Sequence, residues 1–305
     1  MLTDVPEHPF SGLPVCSDLT RIDAAALILG VPIATLYPHV GAFAATSPAA
    51  IRAAMAGGQL GHHDFEIDGS LLEDTFEKVV DGGDLVPSTT DFAANRAEIT
   101  TAIKRVLSAG SVPIVLGGDD SVPIPVLQAY EARGPLTILQ LDAHIDWRDE
   151  VGGERQGLSS NMRRASEMDW IDRIIQVGMR HVGSARRKEY EDALNWGVSI
   201  VTARQIFREG IESVLDLIPL NSQVYIAFDC DSLDCSIMPA VMGPTPGGLT
   251  YWDVVELIHE TANKANLVGF NLVEFAPDRD TTGHAAHLAG RITLNAAAAA
   301  ARKRD

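Results

Sequence analysis

The chain has 305 residues, 46% of them apolar and 21% charged. A chain of this length buries roughly three quarters of its unfolded surface, which excludes a disulfide-stapled miniature scaffold, and the composition excludes a disordered one. Acidic residues outnumber basic ones 41 to 24, a net charge of −17 with histidine neutral; that sign argues against nucleic acid as a partner and favours cations, whether metal ions or positively charged small molecules.

Three cysteines, Cys16, Cys230 and Cys235, form no disulfide framework and suit a reducing compartment. Met1–Phe10 carries no signal-peptide pattern, and no run approaches the 18 apolar residues of a membrane span. The expected location is the cytoplasm.

From the N-terminus onward, short apolar runs alternate with helical patterns. Leu27–Val31 reads as the first strand, and Ser47-Pro48 opens a helix with a cap residue followed by proline. The strand of VVDGGDL at 79–85 follows. Phe92, Ile99, Ile103, Val106 and Leu107 then stripe one face of a helix that stops at Gly110. Further strands are expected at Val112–Leu116, Leu136–Leu141, Ile174–Val177, Val198–Val201, Val224–Phe228 and Val268–Phe275. Before the last of these, Thr250 with Asp253 makes a capping box for a helix carrying Trp252, Val255 and Ile258. The apolar runs are continuous rather than alternating, as in strands buried on both faces of a parallel sheet. No linker or repeat divides the chain. The pattern predicts one α/β domain over 1–305, with an N-terminal arm at 1–26 and a C-terminal tail at 291–305 that frays at Arg302-Lys303-Arg304.

Ligands of open parallel sheets bind beyond the carboxyl ends of the strands. Four polar clusters stand there. In Asp142-Ala143-His144-Ile145-Asp146, extended geometry would turn Asp142, His144 and Asp146 to one side, making a divalent-metal ligand set. The alternative is a polar loop whose Asp residues cap the next helix. Asp229 and Asp231 repeat the pattern after Val224–Phe228 and would repel one another without a cation between them. Cys230, between them, would turn away as a buried apolar residue. Gly117-Gly118-Asp119-Asp120-Ser121 supplies two more acids, as ligands or to fix a turn. Glu274 interrupts an apolar strand and needs either a basic partner or a cationic substrate.

In this order, GGDDS at 117–121, DAHID at 142–146, FDCDSLD at 228–234 and VEFAPDRD at 273–280 resemble the ureohydrolase family of arginases, agmatinases and related guanidino-group hydrolases. The resemblance implies a three-layer α/β/α fold with a mainly parallel sheet, shared with deacetylases. It implies two divalent ions, manganese or, in some members, nickel. Asp142 and Asp229 would bridge them, Asp120 and Asp146 would complete one site, and His144 and Asp231 the other. Asp146, His144 and Glu274 would serve catalysis, with Glu274 holding the guanidinium while metal-bound hydroxide attacks its carbon to give urea and an amine. The expected substrate is a small cationic guanidino compound of the agmatine kind, and the expected assembly a trimer or hexamer.

Three positions depart from the family pattern. Asp120 stands where histidine is usual, so five Asp ligands bring −5 against +4 and favour a hard ion such as manganese. Gln156 stands where many members place a proton-carrying histidine, and Cys235 replaces a common proline. The first two departures raise an alternative, a silent subunit supporting an active homologue in a mixed oligomer. A formimino or acyl-amide hydrolase is a third reading. Gln156 and His181 are further candidates for substrate contact, within loops near 36–46, 147–165 and 181–186 that would set specificity. His62-His63 reads as a surface loop, and Arg163-Arg164 and Arg186-Arg187-Lys188 as solvated faces or subunit contacts.

Overall fold

The computed structural model describes residues 1–57, 61–183 and 185–303. In chain order its elements are β1 (Ala26–Val31), α1 (Ser47–Ala54), β2 (Val79–Asp84), α2 (Phe92–Ser108), β3 (Val112–Gly117), α3 (Pro123–Gln128), β4 (Leu136–Leu141), α4 (Asn161–Ala165), β5 (Ile171–Met179), α5 (Arg187–Trp196), β6 (Ser199–Thr202), α6 (Ala203–Glu209), α7 (Glu212–Leu215), β7 (Gln223–Asp229), α8 (Tyr251–Lys264), β8 (Asn266–Val273) and α9 (His284–Ala301). Among the described residues the strands form one 8-stranded sheet in the order β2-β1-β3-β8-β7-β4-β5-β6. Every pairing within it is parallel.

The continuous apolar runs are explained by two cores, one on each face. Ile28, Leu116, Leu139, Ile175, Ile226 and Leu272 pack under α1, α8 and α9. Their chain neighbours Leu29, Val115, Ile138, Ile174, Ala227 and Val273 pack under α2, α3 and α4. Burial on both sides removes the polar half of each strand, so period two vanishes from the sequence although it persists in the packing. Ser47, expected as a cap, is instead the first helical residue of α1, behind Thr46, which makes no side-chain cap bond, while Pro48 stands in the first turn as expected. Asp91 caps α2 by accepting from Ala94 N–H at 2.9 Å, and Thr250 and Asp253 form the capping box of α8.

The N-terminal segment lies along the edge of the sheet. Asp4 bridges to Asp84, and Val15 to Asp81, covering β2 where an open edge would otherwise invite pairing. Arg52 of α1 is 1% exposed and closes this corner, with Nε and Nη2 each 2.9 Å from the buried Asp81 carboxylate and Nη1 on Asp84. The other terminus differs from expectation. Residues 291–301 continue α9 and are mostly buried, because the alanines let this helix lie close to α1 and the sheet. The expected fray is tied down through Lys303: Arg302 donates to Ile67 O and stacks on Phe76, and Lys303 N–H donates to Thr75 O. Arg304 lies outside the described residues.

Candidate metal centre

The four polar clusters extend from β3, β8, β7 and β4, which are adjacent in that order at the centre of the sheet. Their carboxyl ends therefore open on one place, although the strands are far apart in sequence. Within it, ligand atoms of Asp120, Asp142 and Asp229 lie within 4.8 Å of one another, as do those of Asp142, His144 and Asp231. Asp142 belongs to both groups. Two cation positions sharing one carboxylate is the arrangement these contacts permit.

Convergence comes from turns rather than from extended alternation. Past β4 the chain leaves the sheet, and Asp146 adopts φ 45°, bringing its carboxylate back toward Asp142 so that both accept from Gln140 Nε2, at 3.0 and 2.6 Å. Past β7 a single 3-10 turn at Cys230–Ser232 carries Asp231, whose N–H donates to Asp229 Oδ1 at 2.7 Å. That turn also sends the Cys230 thiol into the core, as expected. Glu274 lies just beyond β8 rather than within it, because φ 67° ends the extended run. Its Oε1 accepts the Asp120 N–H at 2.9 Å. Left-handed backbone at non-glycine residues costs about 1–3 kcal/mol each and is retained where surrounding structure enforces it.

Two glycines make the close approaches that the turns require. A Cβ on Gly118 would lie 2.0 Å from Pro32 O. Gly178, at φ +104°, lets β5 bulge against the Asp142 backbone, where a Cβ would come 2.7 Å from Asp142 O. The bulge frees Arg180 to turn under the centre, where it donates to the carbonyls of Gly178, Asp231, Ser232, Leu233 and Thr245 at 2.7–3.2 Å.

Electrostatics at the centre are governed by burial. Loss of water, then the neighbouring carboxylates, pushes Asp120, Asp142, Asp229 and Glu274 well above the ordinary carboxyl range. Burial alone raises Asp119 to about 6. The imidazole of His144 is the local counter-charge. Burial works against its protonation, but contacts from Nδ1 to Asp142 Oδ1 at 3.3 Å and Asp231 Oδ2 at 3.1 Å raise it to about 12. Burial pushes Asp231 upward too, yet the same imidazole, the Ala143 N–H and Arg180 hold it low. Crowded carboxylate oxygens with one imidazole nitrogen fit hard divalent ions, which would replace the protons these groups otherwise retain.

Further residues stand outside the two ligand groups. Asn161, at the start of α4, donates from Nδ2 to the Asp120 carbonyl at 3.1 Å and to its carboxylate. Trp147 Nε1, Gln156 Oε1, Ser160 Oγ and Asn161 Oδ1 are buried polar atoms without partners, all in the segment after Asp146. Tyr37 anchors that segment from the β1–α1 loop, its ring against Gly157 and its hydroxyl 3.1 Å from Ser159 Oγ. His181 is exposed, at φ 65°, with Nε2 2.8 Å from Pro246 O, and lines a cavity of about 510 Å³ beyond β5 and β6; it is absent from both ligand groups. His62 and His63 lie on an exposed loop, as expected. Arg164 differs from the expected solvated face: it is 5% exposed, held by Asp149 and Glu167, because α4 packs it inward. Gln140, Gln176, Arg180 and Asn161 were not singled out by the sequence, where each is one polar residue without a motif.

Comparison with known proteins agrees with this architecture. The arginase family model matches residues 24–299. Agmatinase of Pyrococcus horikoshii is 30% identical over 84% of this chain and 86% of its own, and guanidinobutyrase of Pseudomonas aeruginosa is 30% identical over 70% and 68%. The structure of proclavaminate amidino hydrolase from Streptomyces clavuligerus superposes with a TM-score of 0.85 at 27% identity, covering 99% of this chain and 98% of that one. The chain belongs to the arginase family of hydrolases.

Proposed function

We propose that this chain is a dinuclear metal-dependent amidinohydrolase that cleaves a small cationic guanidino compound to urea and an amine. The observation that carries the reading is the pair of carboxylate-rich ligand groups sharing Asp142, with Glu274 beside them. Asp120, Asp142, Asp146, Asp229, Asp231 and His144 would hold two divalent ions, manganese first and nickel second. Asp120 supports the first position despite replacing histidine, since its carboxylate reaches both Asp142 and Asp229. When bound, such ions make water a nucleophile near neutral pH and hold it in place.

The remaining chemistry falls to the chain. Glu274 is buried among carboxylates and lacks a basic partner among the described residues, so it favours a guanidinium in front of it. The unpartnered Gln156 Oε1 would add an acceptor for guanidinium N–H groups, and His181, which lines the cavity beyond β5 and β6, would meet only the far end of the substrate. Water oxygen attacks the guanidinium carbon while its proton passes to Asp146. That proton then reaches the substituted nitrogen, the C–N bond breaks, the remaining hydroxyl proton passes to the departing amine as the carbonyl forms, and urea and a protonated amine leave. An assembly of identical chains in a reducing compartment completes the proposal.

The test is urea release by manganese-loaded protein from agmatine, 4-guanidinobutyrate and arginine. The expected result is turnover fastest with agmatine and lost in Asp142→Ala. No urea from any guanidino compound, with two ions bound, would overturn the reading and point to the mixed-oligomer alternative.

A further inference from the structure

Gln140 of β4 and Gln176 of β5 face one another as direct partners in the parallel ladder, 2% and 0% exposed. By strand alternation they share the face of Ile138 and Ile174, in the core under α2 to α4. Their amides form a one-way chain. Gln176 Nε2 uses both hydrogens, on Gln140 Oε1 at 2.6 Å and Ile145 O at 2.8 Å. Gln140 Nε2 likewise uses both, on Asp142 Oδ2 at 2.6 Å and Asp146 Oδ2 at 3.0 Å. Reversing the Gln140 amide would set its oxygen against two carboxylate oxygens, so Gln176 fixes the orientation that the carboxylates require.

Sheet formation does not ask for this pair. The neighbouring partners Leu139 and Ile175 are apolar and fully buried, and two more such residues would pack there. The amide pair instead leaves Gln176 Oε1 buried without a partner, a defect at the end remote from the carboxylates. We propose that Gln140, locked by Gln176, is a positioning residue of the metal centre: its amide ties Asp142 to Asp146 across the turn between them and decides which carboxylate oxygens face the cations. The inference rests on the reading of those two carboxylates as ligands. An amide does this without charge; lysine or arginine at 140 would compete with the cation for the same oxygens.

Chelator-competition titrations with manganese test it on the whole protein, using Gln140→Leu, Gln176→Leu and the double variant, each also melted without metal. Wild type should hold two ions per chain. Gln140→Leu should weaken at least one of them by roughly 10–100-fold, and Gln176→Leu by less, because Gln140 stays but loses its lock. The double variant removes both amides together, so its metal-free melting temperature should equal or exceed that of wild type while its manganese affinity stays low. A merely structural pair would move both readouts in the same direction. Two ions bound by wild type, with every variant within about twofold, overturns the clamp alone. A wild type that holds no manganese overturns the metal reading and the clamp with it.

Discussion

Glu274 illustrates how much a single side chain depends on its surroundings. It is 5% exposed, faces Asp119, Asp231 and Asp146 through space, and has one backbone N–H for a partner. A cationic guanidinium relieves that position, whereas an amide there would not attract one. Glu274→Gln should therefore keep both metal ions and lower kcat/KM for agmatine by roughly 10²–10³-fold. Steady-state kinetics alongside elemental analysis separate this from loss of metal. At this scale the sequence was legible wherever chemistry depends on residue type after a strand. Asp120, Asp142, His144, Asp229 and Asp231 come together in the two ligand groups, while Asp146 and Glu274 adjoin them through Gln140 and the Asp120 N–H. Gln140 and Arg180 were not legible, because what they do lies in partners brought by neighbouring strands and turns.

Elements explain why the site assembles at all. The clusters come after β3, β4, β7 and β8, and only the crossovers that set β8 and β7 between β3 and β4 make them neighbours. Apolar runs announced the strands, and the Thr250–Asp253 capping box announced the start of α8. Sheet order was beyond local pattern, since pairing joins residues far apart in the chain. Turn geometry was hidden in the same way: extended alternation suggested that Asp142, His144 and Asp146 would share a side, whereas positive φ at Asp146 brings its carboxylate beside Asp142 through Gln140 and outside both ligand groups.

The corner of β1, α1 and β2 is a second case. SPAAIR reads as a helix start, yet its Arg52 is a buried cation for Asp81 and Asp84. Arg52→Leu would leave Asp81, 0% exposed, with the Phe10 and Gly83 N–H groups but no counter-charge, and should cost about 3–5 kcal/mol in urea unfolding. An effect below about 1 kcal/mol would mean that the two backbone N–H groups suffice for the carboxylate.

For the whole molecule, stability without metal should depend on pH in a fixed direction. Asp120, Asp142, Asp229 and Glu274 have folded-state pKa values above their unfolded ones, 3.8 for Asp and 4.5 for Glu, and His144 is raised from 6.5 to about 12. Each raised group contributes stability that is full below the unfolded value and is lost as pH rises through the folded one. Asp231, held low, contributes in the opposite sense only below its unfolded value. The metal-free protein should thus melt at progressively lower temperature from about pH 5 to 8, by about 1.4 kcal/mol per pH unit for each proton released. Manganese should stabilise most at the alkaline end, where it replaces protons already lost. A metal-free melting temperature that rises over this range would contradict the electrostatics described above.

Two cations sharing Asp142 is the claim on which the rest depends, and a metal count addresses it directly. Wild type, Asp231→Ala and Asp142→Ala would be loaded with manganese, desalted and measured by elemental mass spectrometry. Two ions per chain are expected in wild type, one in Asp231→Ala and close to none in Asp142→Ala. One ion or none in wild type, or two retained without Asp142, would contradict the claim.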